Sequence, residues 1–253
     1  MLRHFLSFPT IALASLCMLF SCGNTEEDTS AEINANSAND STTLRIAILP
    51  IEECAPLKYA KETGLDRRMG LNITLIEYNA MMDMDTAVLS DMAHVYFEDS
   101  LRIGNIKADS LRPKLLVPVP VRMSLVANNG KGIEKLSSLK THMVGLTRIS
   151  ALEKWMEVLI DSSHIEQDEV YHAQINSLPV RFRMLNDGLI DAAIMPRPWS
   201  DSLAKQGHIV MKEEILDGMG FFISAKALAD KNCRKNAELL KKVYLEAMKQ
   251  TTE

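Results

Sequence analysis

From Leu44 onward, short apolar runs alternate with segments whose apolar residues recur every three or four positions. LRIAILP (44–50) reads as a strand stopped by Pro50, and PLKYAKETGLDRRMG (56–70) as a helix capped at Gly64, with a second turn at Gly70. NITLIEYN (72–79) alternates as a strand, DMDTAVLSDM (83–92) is helical with Asp83 or Asp85 as its cap, and AHVYFED (93–99) is a third strand. The segment 114–129, KLLVPVPVRMSLVANN, is extended but carries prolines, so it is expected to be a poor interior strand and a crossing segment. A second unit follows: strand THMVGL, helix SALEKWMEVLIDS, a short strand near 173–175, helix LPVRFRMLNDG, strand IDAAIMP and the run HIVMKEE. GMGFFISA (218–225) crosses back, and AELLKKVYLEAMK (237–249) is an amphipathic helix.

This order predicts an α/β protein of two lobes with largely parallel sheets, joined by two extended crossings. Residues 44–120 with 218–253 are expected to form lobe 1 and 121–217 lobe 2, hinged near 117–124 and 218–222. In open α/β sheets, ligands sit at the carboxyl ends of strands, and here those ends would face one another across an interlobe cleft.

The N-terminal stretch stands apart. Arg3 and His4 precede an apolar run to Phe20, and LFSC (19–22) ends it with small residues before a cysteine. This resembles a bacterial lipoprotein signal, which implies removal of residues 1–21 and a lipid on Cys22 that holds the chain to a membrane of the cell envelope. A spanning helix is the alternative, but the run carries Pro9 and is short against the ~20 residues a span needs. Residues 22–43 are acidic and contain no aromatic or basic side chain, a composition that predicts a disordered tether.

Composition narrows the function. A net charge of −5 argues against nucleic acid as a partner, since such binding is driven by basic residues. Cys54 and Cys233 are the cysteines left for a disulfide once Cys17 and Cys22 are set aside, and their spacing leaves pairing open. The histidines are scattered, and there is no HExxH, GxSxG or glycine-rich phosphate loop, so no enzyme activity, cofactor or metal site is expected.

Block by block, LRIAILPIEECAPLKYAKETGL, MDTAVLSDMAHVYFED, GIEKLSSLKTHMVGLTRISALEKWMEVLI, LPVRFRMLNDGLIDAAIMPRPW and GFFISAKAL resemble, in order, the solute-binding proteins of ABC importers. The similarity runs from Leu44 to about Met248 and is to the NMT1/THI5-like group, which includes binders of thiamine precursors, sulfonates and nitrate. It implies a periplasmic-binding-protein type II fold, monomeric, that closes over a small-molecule solute and presents it to a membrane permease. Relatives usually continue with more helix, so lobe 1 is expected to be incompletely covered. The family's Pro-Glu-Pro is Pro196-Arg197-Pro198 here.

The candidate site residues lie at strand ends. Thr147, Arg148 and Ser150 precede a helix start, where hydroxyls cap and an anion is welcome. Arg197, braced by two prolines, either forks onto a carboxylate, sulfonate or phosphate or makes a surface salt bridge. Trp199 either stacks on a ring or packs beneath its helix, and Met82 either touches an apolar solute or fills core. Glu52, Asn79 and Glu98 follow the first, second and third strands; the carboxylates would receive an amine, pair with Arg148 and Arg197, or stay solvated. With Arg148 and Arg197 as a clamp, the expected solute is anionic or zwitterionic. The alternative is a surface lipoprotein that keeps the fold and uses the cleft rim to bind another protein.

Overall fold

The structure, a computed structural model, describes residues 43–105 and 112–251; the signal segment, Cys22 and the tether up to residue 42 lie outside the described residues. Two five-stranded sheets organise the chain. In the first, β1 (Thr43–Ile48) pairs in parallel with β2 (Asn72–Glu77) and β3 (Val95–Asp99), and β10 (Met219–Ile223) runs antiparallel between β3 and β4 (Lys114–Pro118). In the second, β6 (Met143–Leu146) pairs in parallel with β7 (Tyr171–Gln174) and β8 (Ala192–Pro196). There β5 (Val121–Ala127) lies antiparallel between β8 and β9 (Ile209–Leu216). Both sheets thus share one plan, three parallel strands followed by an antiparallel fourth and an edge.

The sequence pattern explains most of this. β3, β8 and β10 are buried at every residue, the signature of strands covered on both faces. The helix α1 (Ala55–Thr63) ends on Gly64 at φ 70°, as the left-handed cap requires. Helix α5 (Ala151–Ser162) buries Leu152, Trp155, Met156, Leu159 and Ile160, one face at helical spacing.

Two expectations change. Val121–Ala127 is an interior strand, because Pro118 and Pro120 fall before it and take no place in its ladder. Helix α3 (Met81–Leu89) starts one turn earlier than expected, at Ala80 with no side-chain cap; Asp83 lies in its first turn and Asp85 is drawn to Arg102 instead. Helix α9 (Lys231–Thr251) packs on the first sheet and buries Leu240, Val243 and Tyr244. Phe97 on β3, Phe221 on β10 and Tyr244 form an edge-to-face series at 5.3 and 5.4 Å, and the Tyr244 hydroxyl donates to the Glu53 carbonyl at 3.0 Å. Cys54 is buried and Cys233 half-buried, and both are free thiols.

The chain passes between sheets twice, through Val119–Pro120 and through Asp217–Gly218. Gly218 sits at φ 91°, which glycine alone adopts easily. Gly220 of β10 approaches β4 so closely that a Cβ would lie 2.2 Å from the Val117 carbonyl oxygen, just before the register shifts between Phe221 and Phe222. Gly220→Ala is therefore expected to lower unfolding free energy by about 1–3 kcal/mol. Gly104→Ala, where nothing lies within 4 Å, should be neutral or slightly stabilising. Urea unfolding of the two variants checks the contrast.

Candidate functional site

The carboxyl ends of the parallel strands of both sheets meet. Hydrogen bonds join them directly, among them Leu178 N to Asn79 O (2.9 Å), Glu52 N to Arg197 O (3.0 Å), the Trp199 indole to Pro50 O (2.8 Å), and Ala151 N to Asp99 Oδ2 (2.6 Å). Between these ends is a gap of about 20 Å³ lined by Leu49, Phe97, Met123, Thr147 and Arg181, room for about one water. Beside it opens a cavity of about 510 Å³, bounded by Met82, Val88, Tyr96, Glu98 and Arg102 from the first lobe and by Arg148, Ile149 and Gln174 from the second. Strand alternation separates the two spaces: Phe97 and Thr147 face the gap, while their neighbours Glu98 and Arg148 line the cavity.

Two carboxylates at the end of β3 are fully buried. Asp99 caps α4 (Ser100–Gly104) by accepting from Leu101 N at 2.8 Å, and its other oxygen takes Ala151 N of α5. Burial raises its carboxyl against the lowering effect of those bonds. Glu98 Oε1 accepts from Arg102 Nε and from Asp99 N, both at 2.9 Å, while Oε2 has no partner. Arg102 also reaches Asp85 Oδ2 at 2.6 Å. Burial pushes the Glu98 carboxyl up to about 8; Arg102 opposes the rise and Asp85 adds to it.

No protein-family model matches the chain, and no curated protein matches it. Solved structures do. The periplasmic aliphatic sulphonate binding protein SsuA of Escherichia coli superposes with a TM-score of 0.60 at 16% identity, over 81% of this chain and 72% of that one. The periplasmic nitrate-binding protein NrtA of Synechocystis PCC 6803 gives 0.66 at 13%, over 82% and 61%. A Candida albicans gene product that defines a new family with the generic periplasmic binding protein structural fold gives 0.62 at 16%, over 83% and 72%. The chain has the periplasmic-binding-protein fold.

Within that fold, the residues expected at the site separate. Met82, Glu98 and Arg148 share the large cavity, with the Met82 thioether also against the Asn176 amide. Arg148 is half-exposed and its Nε lies 3.1 Å from Glu153. Thr147 and Ser150 sit behind: Thr147 Oγ1 accepts from Arg181, and Ser150 Oγ accepts from Leu152 N and Glu153 N as the α5 cap. Asn79 contributes only its carbonyl to the lobe contact. Glu52 lies in a separate groove beside Tyr244 and Leu245. Trp199 packs on Phe182 with ring centres 5.5 Å apart and is tied to Pro50. Arg197, the other half of the expected clamp, lines neither space; its guanidinium is 3.4 Å from Asp201 and 3.7 Å from Glu213.

The sequence reading missed Arg181, a fully buried cation with no carboxylate partner. Its guanidinium donates to Ile175 O (2.7 Å), Ile194 O (2.8 Å) and Thr147 Oγ1 (2.8 Å), and burial lowers its pKa to about 9. The signal was present: Arg181 falls on the face of α6 (Leu178–Asn186) that carries buried Leu178 and Leu185.

Glu98 predicts a pH dependence. The folded chain keeps a proton on Glu98 that the unfolded chain releases near its ordinary value of 4.5, so stability is expected to fall as pH rises from there to about 8. The contribution reaches at most about 1.4 kcal/mol per pH unit. Glu98→Gln should flatten the slope in that window while leaving the smaller part due to Asp99, which has the same sign. Urea unfolding at a series of pH values reads the difference.

Proposed function

We propose that the chain is the solute-binding component of an ABC importer, a monomer held at the cell envelope by lipid on Cys22. It captures a small zwitterionic or anionic solute without catalysis and delivers it to the membrane permease. The carrying observation is the cavity of about 510 Å³ that both lobes line at their strand ends, a volume typical of small-molecule sites. Met82, Glu98 and Arg148 contact the solute, with the free edge of the Arg148 guanidinium receiving its anionic group. Lobe 1 is 44–120 with 218–253 and lobe 2 is 121–217; Val119–Pro120 and Asp217–Gly218 are the hinge through which they close. The fold shared with a sulphonate binder and a nitrate binder supports transport, and the NMT1/THI5-like resemblance of the sequence agrees with it.

The direct bonds across the narrow gap favour a second reading, a surface lipoprotein whose lobes stay together and whose rim binds another protein.

Thermal unfolding against pooled pyrimidines, sulfonates, carboxylates, amino acids and nitrate decides between them. A ligand at 100 times its Kd adds about 2.7 kcal/mol, which raises the midpoint by roughly 5 to 10 °C in a domain of this size. Arg148→Ala should weaken the response roughly tenfold in affinity without moving the ligand-free midpoint, since the side chain is exposed. A folded chain indifferent to every pool would support the second reading.

A further inference from the structure

Charge is unevenly spread over the first lobe. The whole chain has a net charge of −5, yet α2 (Leu65–Arg68) and residues 231–242 of α9 carry seven basic side chains against two carboxylates, Asp66 and Glu238. Asp66 is fully buried and spent within the chain: its oxygens accept from Arg67 N at 2.8 Å and Ile73 N at 3.3 Å, with Lys61 Nζ 3.7 Å away. The two helices are in contact, and Arg67 and Lys235 line one surface pocket of about 470 Å³ together with Asn72 and Asn232. Lys231 and Lys242 continue the line of Lys235 along the exposed side of α9, one turn before it and two turns after it. Among the described residues, no carboxylate lies within ion-pair distance of Arg67, Lys231, Lys235 or Lys242, and only the exposed Glu238 on the same helix offsets them.

This patch adjoins the point where the chain enters the domain. Thr43 begins β1 and pairs with Asn72 at the start of β2, and the Asn72 amide donates to Thr43 Oγ1 at 2.8 Å. Cys22 stands 21 residues before Thr43, and that length of chain spans at most about 75 Å in any conformation. With lipid on Cys22, the end of the first lobe that carries Thr43 is the end tied to the bilayer. A bilayer containing anionic phospholipid offers these cations a plane of phosphates. The carboxylates of residues 22–42 compete for the patch, but Glu26, Glu27, Asp28 and Glu32 lie closer in sequence to Cys22 than to Thr43, and Asp40 alone is near the domain.

We propose that the patch around Arg67 and Lys235 is a docking face for anionic phospholipid, which sets the first lobe down on the membrane beside its anchor. The proposal rests on the lipid-anchor reading. The interlobe cavity lies at the opposite, carboxyl ends of the strands, so the docked lobe leaves it uncovered. Each basic side chain near an anionic bilayer strengthens association about fivefold, and the attraction fades within a Debye length, so high salt releases the lobe.

The test places the whole chain, held by its N-terminal segment, in nanodiscs of phosphatidylcholine alone or mixed with phosphatidylglycerol. The discs carry a nitroxide-headgroup lipid and the chain labelled methionine methyls. Met69, between Arg68 and Gly70, reports the patch; Met143, at the start of β6 in the other lobe, is the control. Met69 is expected to broaden on the mixed discs, with Met143 sharp, and to recover in high salt. Arg67→Glu with Lys235→Glu, both exposed, should cut that broadening roughly tenfold or more without moving the thermal midpoint. Lys205→Glu with Lys212→Glu, an equal charge change on the second lobe, should leave it intact. Broadening that is equal on neutral discs, or that survives the change at Arg67 and Lys235, would overturn the docking face. A chain that stays on both discs with Met69 sharp would overturn the docking and leave the anchor standing. One found on mixed discs alone would keep the docking and overturn the anchor, and one found on neither would overturn both. A Met69 shift on neutral discs when Glu26, Glu27, Asp28 and Glu32 become amides would give the patch to the chain's own acidic segment. A Met69 shift with inorganic phosphate, without broadening on mixed discs, would make it a site for a soluble anion instead.

Discussion

Asp99 is the interaction on which the arrangement of the site depends. It ends a fully buried strand of the first sheet, yet it accepts from the first N–H of α5 in the second lobe as well as from the start of α4. A carboxylate at a helix start is favoured by the free N–H groups and the helix dipole, and bonds to a charged group contribute about 1.5–3 kcal/mol each. Removing it would leave Ala151 N and Leu101 N without partners in a region closed to water. It also fixes Glu98, whose Oε1 accepts from the Asp99 backbone while the side chain alternates to the cavity face.

The same bond changes what the second lobe can offer. A helix start is a ready anion site only while its N–H groups are free. Here Asp99, Ser150 and Glu153 satisfy them from within the chain, so α5 holds the first lobe in place. Arg148 keeps only the part of its guanidinium that Glu153 does not engage.

Much of the fold could be read from the sequence, because strands buried on both faces and helices with one apolar face carry their period openly. The interior place of β5 was hidden by Pro118 and Pro120, which belong to the preceding edge strand and the link. The site was less legible. The Arg197 contact with Asp201 was foreshadowed by their four-residue spacing, that of helical ion pairs, and Glu153 stands close enough after Arg148 to reach it. Arg181 stood on an apolar face and was passed over as part of an ordinary amphipathic helix. The bond from Ala151 to Asp99 spans 52 residues, and no local spacing announces it.

Burial acts in opposite directions on Glu98 and Arg181, raising the acid and lowering the base. Arg181 is a buried cation held by two carbonyls and a hydroxyl, with no carboxylate to neutralise it. Glu98 is a buried acid whose single guanidinium partner is shared with Asp85. In water-excluded surroundings the Arg181 charge acts over longer range than one at the surface, since screening is weak there, whereas Glu98 stays neutral below about pH 8. The neighbours of these groups in the chain, Phe97 with Glu98 and Thr147 with Arg148, set the gap and the cavity side by side.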